Sequence, residues 1–190
     1  MKLSALVVNL YSSCHLILIL TSEVSATIRR ETSLTNKALV EPLAVAWHAV
    51  EAAQLQKGDD ALVLGAGPIG LGVVQCLKAQ GANKIIVAEV AKQRQDFAKH
   101  FGATHIFDPR HDDVVAKCKE LTEGRGVQVS LDCAGVAASV KTACLAVRAQ
   151  GRIVNVAIWE KEIPFNPNNI VFGEKKYSAG RSTVNPKVFY

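Results

Sequence analysis

The sequence predicts a doubly wound α/β domain, in which about six parallel strands are covered by helices on both faces. Three observations carry that reading. Short apolar runs of strand type alternate with helical patterns from residue 58 onward. A glycine-rich turn joins the first of these strands to the helix that follows it. Hydrophobic residues make up 49% of the chain and charged residues 21%, a balance that suits a globular protein and not a disordered one. At 190 residues there is room for one core of ordinary size.

The elements follow in order. From Glu41 to Ala53 the positions Leu43, Val45, Ala46, Trp47, Ala49 and Val50 fit one broad helical face, and Pro42 suits a first turn. Lys57-Gly58-Asp59-Asp60 is a turn, and Ala61-Leu62-Val63-Leu64 is the unbroken apolar run of a strand buried on both faces. Gly65 to Gly70 gives way to Leu71, Val73, Val74, Cys76 and Leu77 at helical spacing, ending at Gly81. Lys84 to Ala88 is a second strand, Ala91 to Phe101 a polar-faced helix, and Thr104 to Phe107 a third strand closed by Asp108-Pro109. Asp112 to Leu121 is a helix stopped by Gly124-Arg125-Gly126, followed by a strand at Val127 to Leu131, a helix at Val136 to Val147 and a fifth strand at Gly151 to Val156. After Ile158 the pattern weakens: Phe165 to Asn169 is loop, and Lys176 to Gly180 supplies a last strand. Strands and helices alternating at this spacing imply right-handed crossovers and a parallel sheet.

Composition excludes several functions. The net charge of +5 is spread along the chain with no run longer than Lys175-Lys176, and only 6% of residues are aromatic, so no nucleic-acid surface is expected. The five cysteines include no C-x-x-C pair, which argues against a zinc knuckle or a dithiol redox site and suits a reducing, cytoplasmic setting. Cys76 and Cys144 fall in apolar helical patterns and read as buried, inert thiols. Met1 to Ala26 superficially matches a secretory signal, but Asn9, Ser12, Ser13 and His15 interrupt its apolar stretch, and no membrane partner is expected.

Gly65-Ala66-Gly67-Pro68-Ile69-Gly70 is a G-x-G-x-x-G turn between strand and helix, the context a Rossmann dinucleotide site requires. Gly65 permits the tight turn, Gly67 removes a side chain where backbone approaches pyrophosphate, and Gly70 lets helix and strand pack closely. The phosphates then meet the helix N-terminus, where free N–H groups and the helix dipole favour an anion. Glu89 follows Gly65 by 24 residues. Its carboxylate can accept hydrogen bonds from the adenosine ribose and would repel the extra phosphate of NADP, which favours NAD; the alternative is an exposed strand-end carboxylate. Lys92 and Arg94 lie just beyond and could meet a 2'-phosphate, so NADP stays open. Cys133-Ala134-Gly135 and Val156-Ala157-Ile158 end two further strands and are expected along the nicotinamide half, through backbone and apolar contacts, or else as loops packing only on protein.

Glu41-Pro42-Leu43-Ala44-Val45, the 65–70 turn, Phe101-Gly102-Ala103, Asp132-Cys133-Ala134-Gly135 and Gly151 to Val156 together resemble the zinc-dependent medium-chain alcohol and polyol dehydrogenases. The resemblance is strongest to the 2,3-butanediol and sorbitol dehydrogenase branch, fungal butanediol dehydrogenases in particular, and runs from Leu34 to Gly180. It implies a nucleotide domain inserted in a catalytic domain built from both chain ends. The chain accordingly divides into an atypical extension over 1–33, a linking helix and catalytic-domain remnant over 34–57, the dinucleotide-binding domain over 58–158, and a last strand with tail over 159–190. The resemblance also implies a catalytic zinc held by a Cys and a His-Glu pair. Nothing before Glu41 supplies these in a matching setting, Cys14-His15 included, and the four-cysteine structural zinc loop is absent. Glu41 matches a family residue close to the zinc, though it is equally a carboxylate stabilised by a helix N-terminus. One carboxylate cannot hold zinc. His48, His100, His105 and His111 read as surface or core residues, and no catalytic residue is assigned.

The expectation is therefore an NAD(H)-binding oxidoreductase domain for secondary alcohols or diols, lacking most zinc ligands and weakly active or inactive alone. Alternatives are a non-catalytic dinucleotide-binding or interaction module, able to form a homo-oligomer through the family's sheet edge, and a methyltransferase with a related glycine loop.

Overall fold

The structure, a computed structural model, describes residues 40–180, with side chains from residue 42 onward. The readings of the first 39 residues, Cys14-His15 and the signal-like stretch among them, lie outside the described residues, as do the Glu41 side chain and the last ten positions.

Helix α1 spans Val40–Ala53, and strand β1, Ala61–Leu64, follows. Then come α2 (Pro68–Ala79), β2 (Ile85–Ala88), α3 (Lys92–Phe101), β3 (His105–Phe107) and α4 (Val114–Leu121). The second half supplies β4 (Val127–Asp132), α5 (Ala137–Ala146), β5 (Val147–Asn155), α6 (Asn168–Val171) and β6 (Lys176–Ala179). The strand order is β3-β2-β1-β4-β5-β6, and every pairing is parallel. This is a Rossmann-type doubly wound sheet, as predicted, with its order reversing between β1 and β4.

Alternation along the strands builds two cores. Ala61 and Val63 of β1 face a cluster that includes Val50, Val73, Leu77, Ile85, Val87 and Leu131. Leu62 and Leu64 face the other side, with Ile86, Cys118, Ala143, Cys144 and Ile153. All four β1 residues are buried because both faces are roofed by helices, which is why the sequence there is a continuous apolar run. Burying a Leu or Ile fully is worth about 2 kcal/mol, so these strands anchor the crevice above them firmly. The α1 face predicted from Ala46, Ala49 and Val50 sits in the first cluster.

Three boundaries differ from the sequence expectation by more than two residues. α2 starts at Pro68, inside the glycine turn and not after it, because proline at the first helical position needs no N–H partner. β5 begins at Val147, and the ladder to β4 is irregular between Val127 and Val129; a small apolar residue there satisfies helix and strand patterns alike. The predicted loop Phe165 to Asn169 contains the start of α6. Among the described residues, no helix is long and apolar enough to cross a membrane.

Candidate functional site

The sheet register draws one line across the strand ends. Phe107 pairs with Ala88, Ala88 with Leu64, Leu64 with Asp132, Asp132 with Asn155, and Asn155 with Ala179. The residues immediately beyond this line are Asp108, Glu89, Gly65, Cys133, Val156 and Gly180. Four of them were predicted site residues. Backbone bonds fix them in step: Glu89 N–H donates to Phe107 O (3.1 Å), Gly65 N–H to Ala88 O (2.8 Å), Cys133 N–H to Leu64 O (2.9 Å) and Val156 N–H to Asp132 O (2.9 Å).

At the centre of the line Gly65 has φ of +88°, a left-handed conformation that costs glycine least. A Cβ there would lie 3.1 Å from the Ala134 Cβ, so the turn presses against the β4 exit loop. Gly67 caps α2 in an extended conformation, with no side chain capping the helix, and Pro68 opens the first turn. A Cβ on Gly70 would fall 2.0 Å from Gly65 O, so only glycine lets the helix start sit against the turn. Gly67 is the opposite case: a Cβ there would meet nothing within 4 Å. Ile69 packs against the first core while Pro68 is exposed. The helix therefore presents its orphan N–H groups and the positive end of its dipole beside open space, a cradle that fits an anionic phosphate.

Glu89 is only 4% exposed, so the alternative of an exposed strand-end carboxylate does not describe it. Its Oε2 accepts the Ala66 N–H at 2.7 Å, and its Oε1 accepts the Ala91 N–H at 2.8 Å. One side chain thus ties the glycine turn to the exit of β2. The Arg94 guanidinium stands 4.0 Å from Oε2 and is more than half exposed, while Lys92 pairs with Asp96 at 3.0 Å. The sequence did not single out Arg110, whose guanidinium donates to Val90 O (2.7 Å) and grips Asp108. Hydrogen bonds from Arg110 hold the Asp108 carboxyl down at about 2, against an ordinary 3.8.

Beyond β1 the line continues into Asp132, the last residue of β4 and wholly buried. Its Oδ1 accepts the N–H groups of Ala134 (3.0 Å) and Gly135 (3.2 Å), and its carbonyl accepts those of Val156 (2.9 Å) and Ala157 (3.0 Å). Burial raises its pKa. A Cβ on Gly135 would lie 2.9 Å from the Ala157 Cβ, so the two exit loops touch. Cys133 and Val156 pack partly into the first core, and burial pushes the Cys133 thiol up. Asn155 Nδ2 donates to Ala157 O (3.0 Å) and its Oδ1 accepts from Trp159 Nε1 (2.9 Å), shaping the second loop. Asp132 was quoted in sequence only as part of a motif; a charged residue closing an apolar strand was the available signal.

Cys76 and Cys118 are buried and their thiols are pushed up to about 12, and Cys144 is also raised by burial, so none is poised as a nucleophile. A cavity of about 510 Å³ lined by residues such as Val140, Trp159, Phe165 and Tyr177 contains none of the predicted site residues. The rim at the strand ends is built mostly from backbone groups. Among the described residues no group of three or more His, Cys, Asp or Glu could hold a metal, so these residues do not fit a zinc ion.

Comparison with known proteins agrees with this fold. A family model of zinc-binding dehydrogenases matches residues 68–187. The (R,R)-butanediol dehydrogenase of Saccharomyces cerevisiae is 40% identical over 152 residues, spanning 78% of this chain and 40% of that protein. Its counterpart in Bacillus subtilis is 43% identical over 145 residues, 76% of this chain and 42% of the relative. The crystal structure of 2R,3R-butanediol dehydrogenase from Bacillus subtilis superposes with a TM-score of 0.72 at 42% identity, covering 80% of this chain and 44% of that one. A structure described as a zinc-binding dehydrogenase from Sinorhizobium meliloti 1021, bound to NADP, gives 0.68 at 30% identity over 73% of this chain and 42% of that one. The chain thus spans some 40% of the length of these curated relatives. Sequence motif, strand order and family match together make this chain a member of the zinc-binding, medium-chain alcohol and polyol dehydrogenase family.

Proposed function

We propose that the chain binds NAD(H) in the crevice between the β1 and β4 exits and is the coenzyme-binding part of an oxidoreductase acting on secondary alcohols or diols. The observation that carries this reading is the open N-terminus of α2: Gly67 has no neighbour where a side chain would go, although Gly65 and Gly70 are tightly packed. Residues 65–70 would hold the pyrophosphate through backbone N–H groups and the helix dipole. Glu89 would face the adenosine ribose with the lone pairs that Ala66 and Ala91 leave free, and its charge favours NAD over NADP. Cys133, Val156 and Ala157 would line the nicotinamide half, mostly through backbone. The bound coenzyme would supply the hydride chemistry; these residues bind it, orient it and keep water from one side.

The diol and polyol specificity is supported by the butanediol dehydrogenases among the relatives and by the sorbitol dehydrogenase of Bacillus subtilis, 38% identical. The described residues do not fit zinc. For that reason little turnover of butane-2,3-diol is expected from this polypeptide assayed by itself, and family-like rates would contradict that. Calorimetric titration of the folded chain with NADH and NADPH tests the coenzyme reading. Heat with NADH, and weaker binding of NADPH, is expected; tighter NADPH binding would shift the assignment to NADP, with Arg94 as the contact.

A further inference from the structure

Asp132 does more than end β4. Its side chain and its carbonyl together accept four backbone N–H groups, two from each of the loops that leave β4 and β5. Those loops touch where Gly135 meets Ala157, so displacing either disturbs the other. The 65–70 turn meets the first of these loops by van der Waals contact, Gly65 against Ala134, whereas its hydrogen bond to a side chain is the one that the Ala66 N–H donates to Glu89. Among the described residues, Asp132 Oδ2 is buried with no hydrogen bond of good geometry, although the Ser139 hydroxyl, which donates to Val136 O, favours the charged carboxylate from nearby. A buried acceptor left unsatisfied is costly, and the site tolerates it while keeping both loop N–H groups on Oδ1.

We infer that Asp132 is a positioning residue for the nicotinamide half of the crevice, holding the 133–135 and 156–157 loops at one spacing while the adenosine half is set separately by Glu89. The inference rests on the reading of the crevice as a dinucleotide site. It follows that disturbing Asp132 weakens recognition of the part of the ligand lying across the β4 and β5 exits far more than that of the ADP-ribose part, which meets the 133–135 loop through the Gly65–Ala134 contact. A role confined to folding would weaken both parts alike.

The test is calorimetric titration of the full chain, wild type and variants, with NADH and with ADP-ribose, alongside circular dichroism. Wild type binds NADH more tightly than ADP-ribose. In Asp132→Ala the freed loop N–H groups lower NADH affinity by about tenfold, with ADP-ribose affinity changed less than about twofold. Asp132→Asn keeps an acceptor oxygen for Ala134 and Gly135 and restores NADH affinity to within about threefold of wild type. Equal losses for both ligands, no loss for either, or no rescue by asparagine would overturn the inference. If the alanine variant does not fold, Asp132→Ser, with one shorter hydroxyl for two N–H groups, takes its place under the same criteria. Wild-type protein that binds neither ligand would sink the crevice reading and this inference with it. Wild-type binding with indifferent variants would sink the inference alone.

Discussion

Glu89 and Asp132 stand at the ends of strands on either side of β1, both buried, yet they are satisfied in different ways. Glu89 spreads its load, one backbone N–H on each oxygen. Asp132 gathers two backbone N–H groups on one oxygen, and among the described residues none is donated to the other, which has only the Ser139 hydroxyl nearby. The first arrangement clamps a turn whose shape is already dictated by Gly65 and Gly70, so the carboxylate reinforces a rigid feature. The second fixes the 134–135 loop, while the main-chain carbonyl of the same residue holds Val156 and Ala157 of the next loop. The glycine turn is thus built into close-packed backbone, whereas the loops beyond β4 and β5 rest on one buried acid and its own carbonyl.

That contrast can be broken at its rigid end first. Gly70→Ala would drive a Cβ into Gly65 O, a backbone atom that cannot rotate away. A loss of about 3 kcal/mol or more is expected in urea unfolding, with the coenzyme site lost as well. Glu89→Ala comes next. It removes the acceptor for the Ala66 and Ala91 N–H groups and should cost about 2 kcal/mol by the same measurement, together with affinity for adenosine-containing ligands generally.

A smaller effect separates Asp132 from Asp108 by pH. Burial raises the Asp132 pKa above 3.8, so between 3.8 and its raised value the folded chain binds this proton more tightly than the unfolded chain does. Stability from this group is therefore present below the window and declines as pH rises through it. Asp132→Asn should abolish that part of the decline, read from urea midpoints at a series of pH values; an unchanged profile would count against the buried acid. Asp108 runs the other way: its Arg110 bonds stabilise the fold above 3.8, and that contribution is lost as pH falls toward about 2. Least of all, Arg94→Ala removes an exposed cation 4.0 Å from Glu89. Stability should change by under about 1 kcal/mol, and the preference for NADH over NADPH should widen in parallel titrations.

Much of this was legible in sequence because it is local. The 65–70 turn and its flanking strand and helix lie within a short stretch, and strand ends in a parallel sheet share one edge, so Glu89, Cys133 and Val156 could be assigned to a common rim before any pairing was known. What distance conceals was missed. The clamp that Glu89 places on the glycine turn emerges only when Ala66, 23 residues away, is brought against it. Asp132 acquires its second loop only through β5. Arg110 joins the rim through Val90, 20 residues distant. The start of α6 was hidden because Pro167 reads as a breaker, although proline is compatible with the opening of a helix.

The most direct measurement compares wild type with Gly67→Ala by NADH calorimetry and urea unfolding. Gly67 has φ of −69°, and its Cβ would enter space empty of protein, so stability should change by about 1 kcal/mol or less. NADH affinity should nevertheless fall by more than about tenfold, because the added methyl occupies the place assigned to the pyrophosphate. A Gly67→Ala protein that binds NADH as well as wild type does, or a folded wild type that gives no heat with NADH at millimolar concentration, would contradict the account.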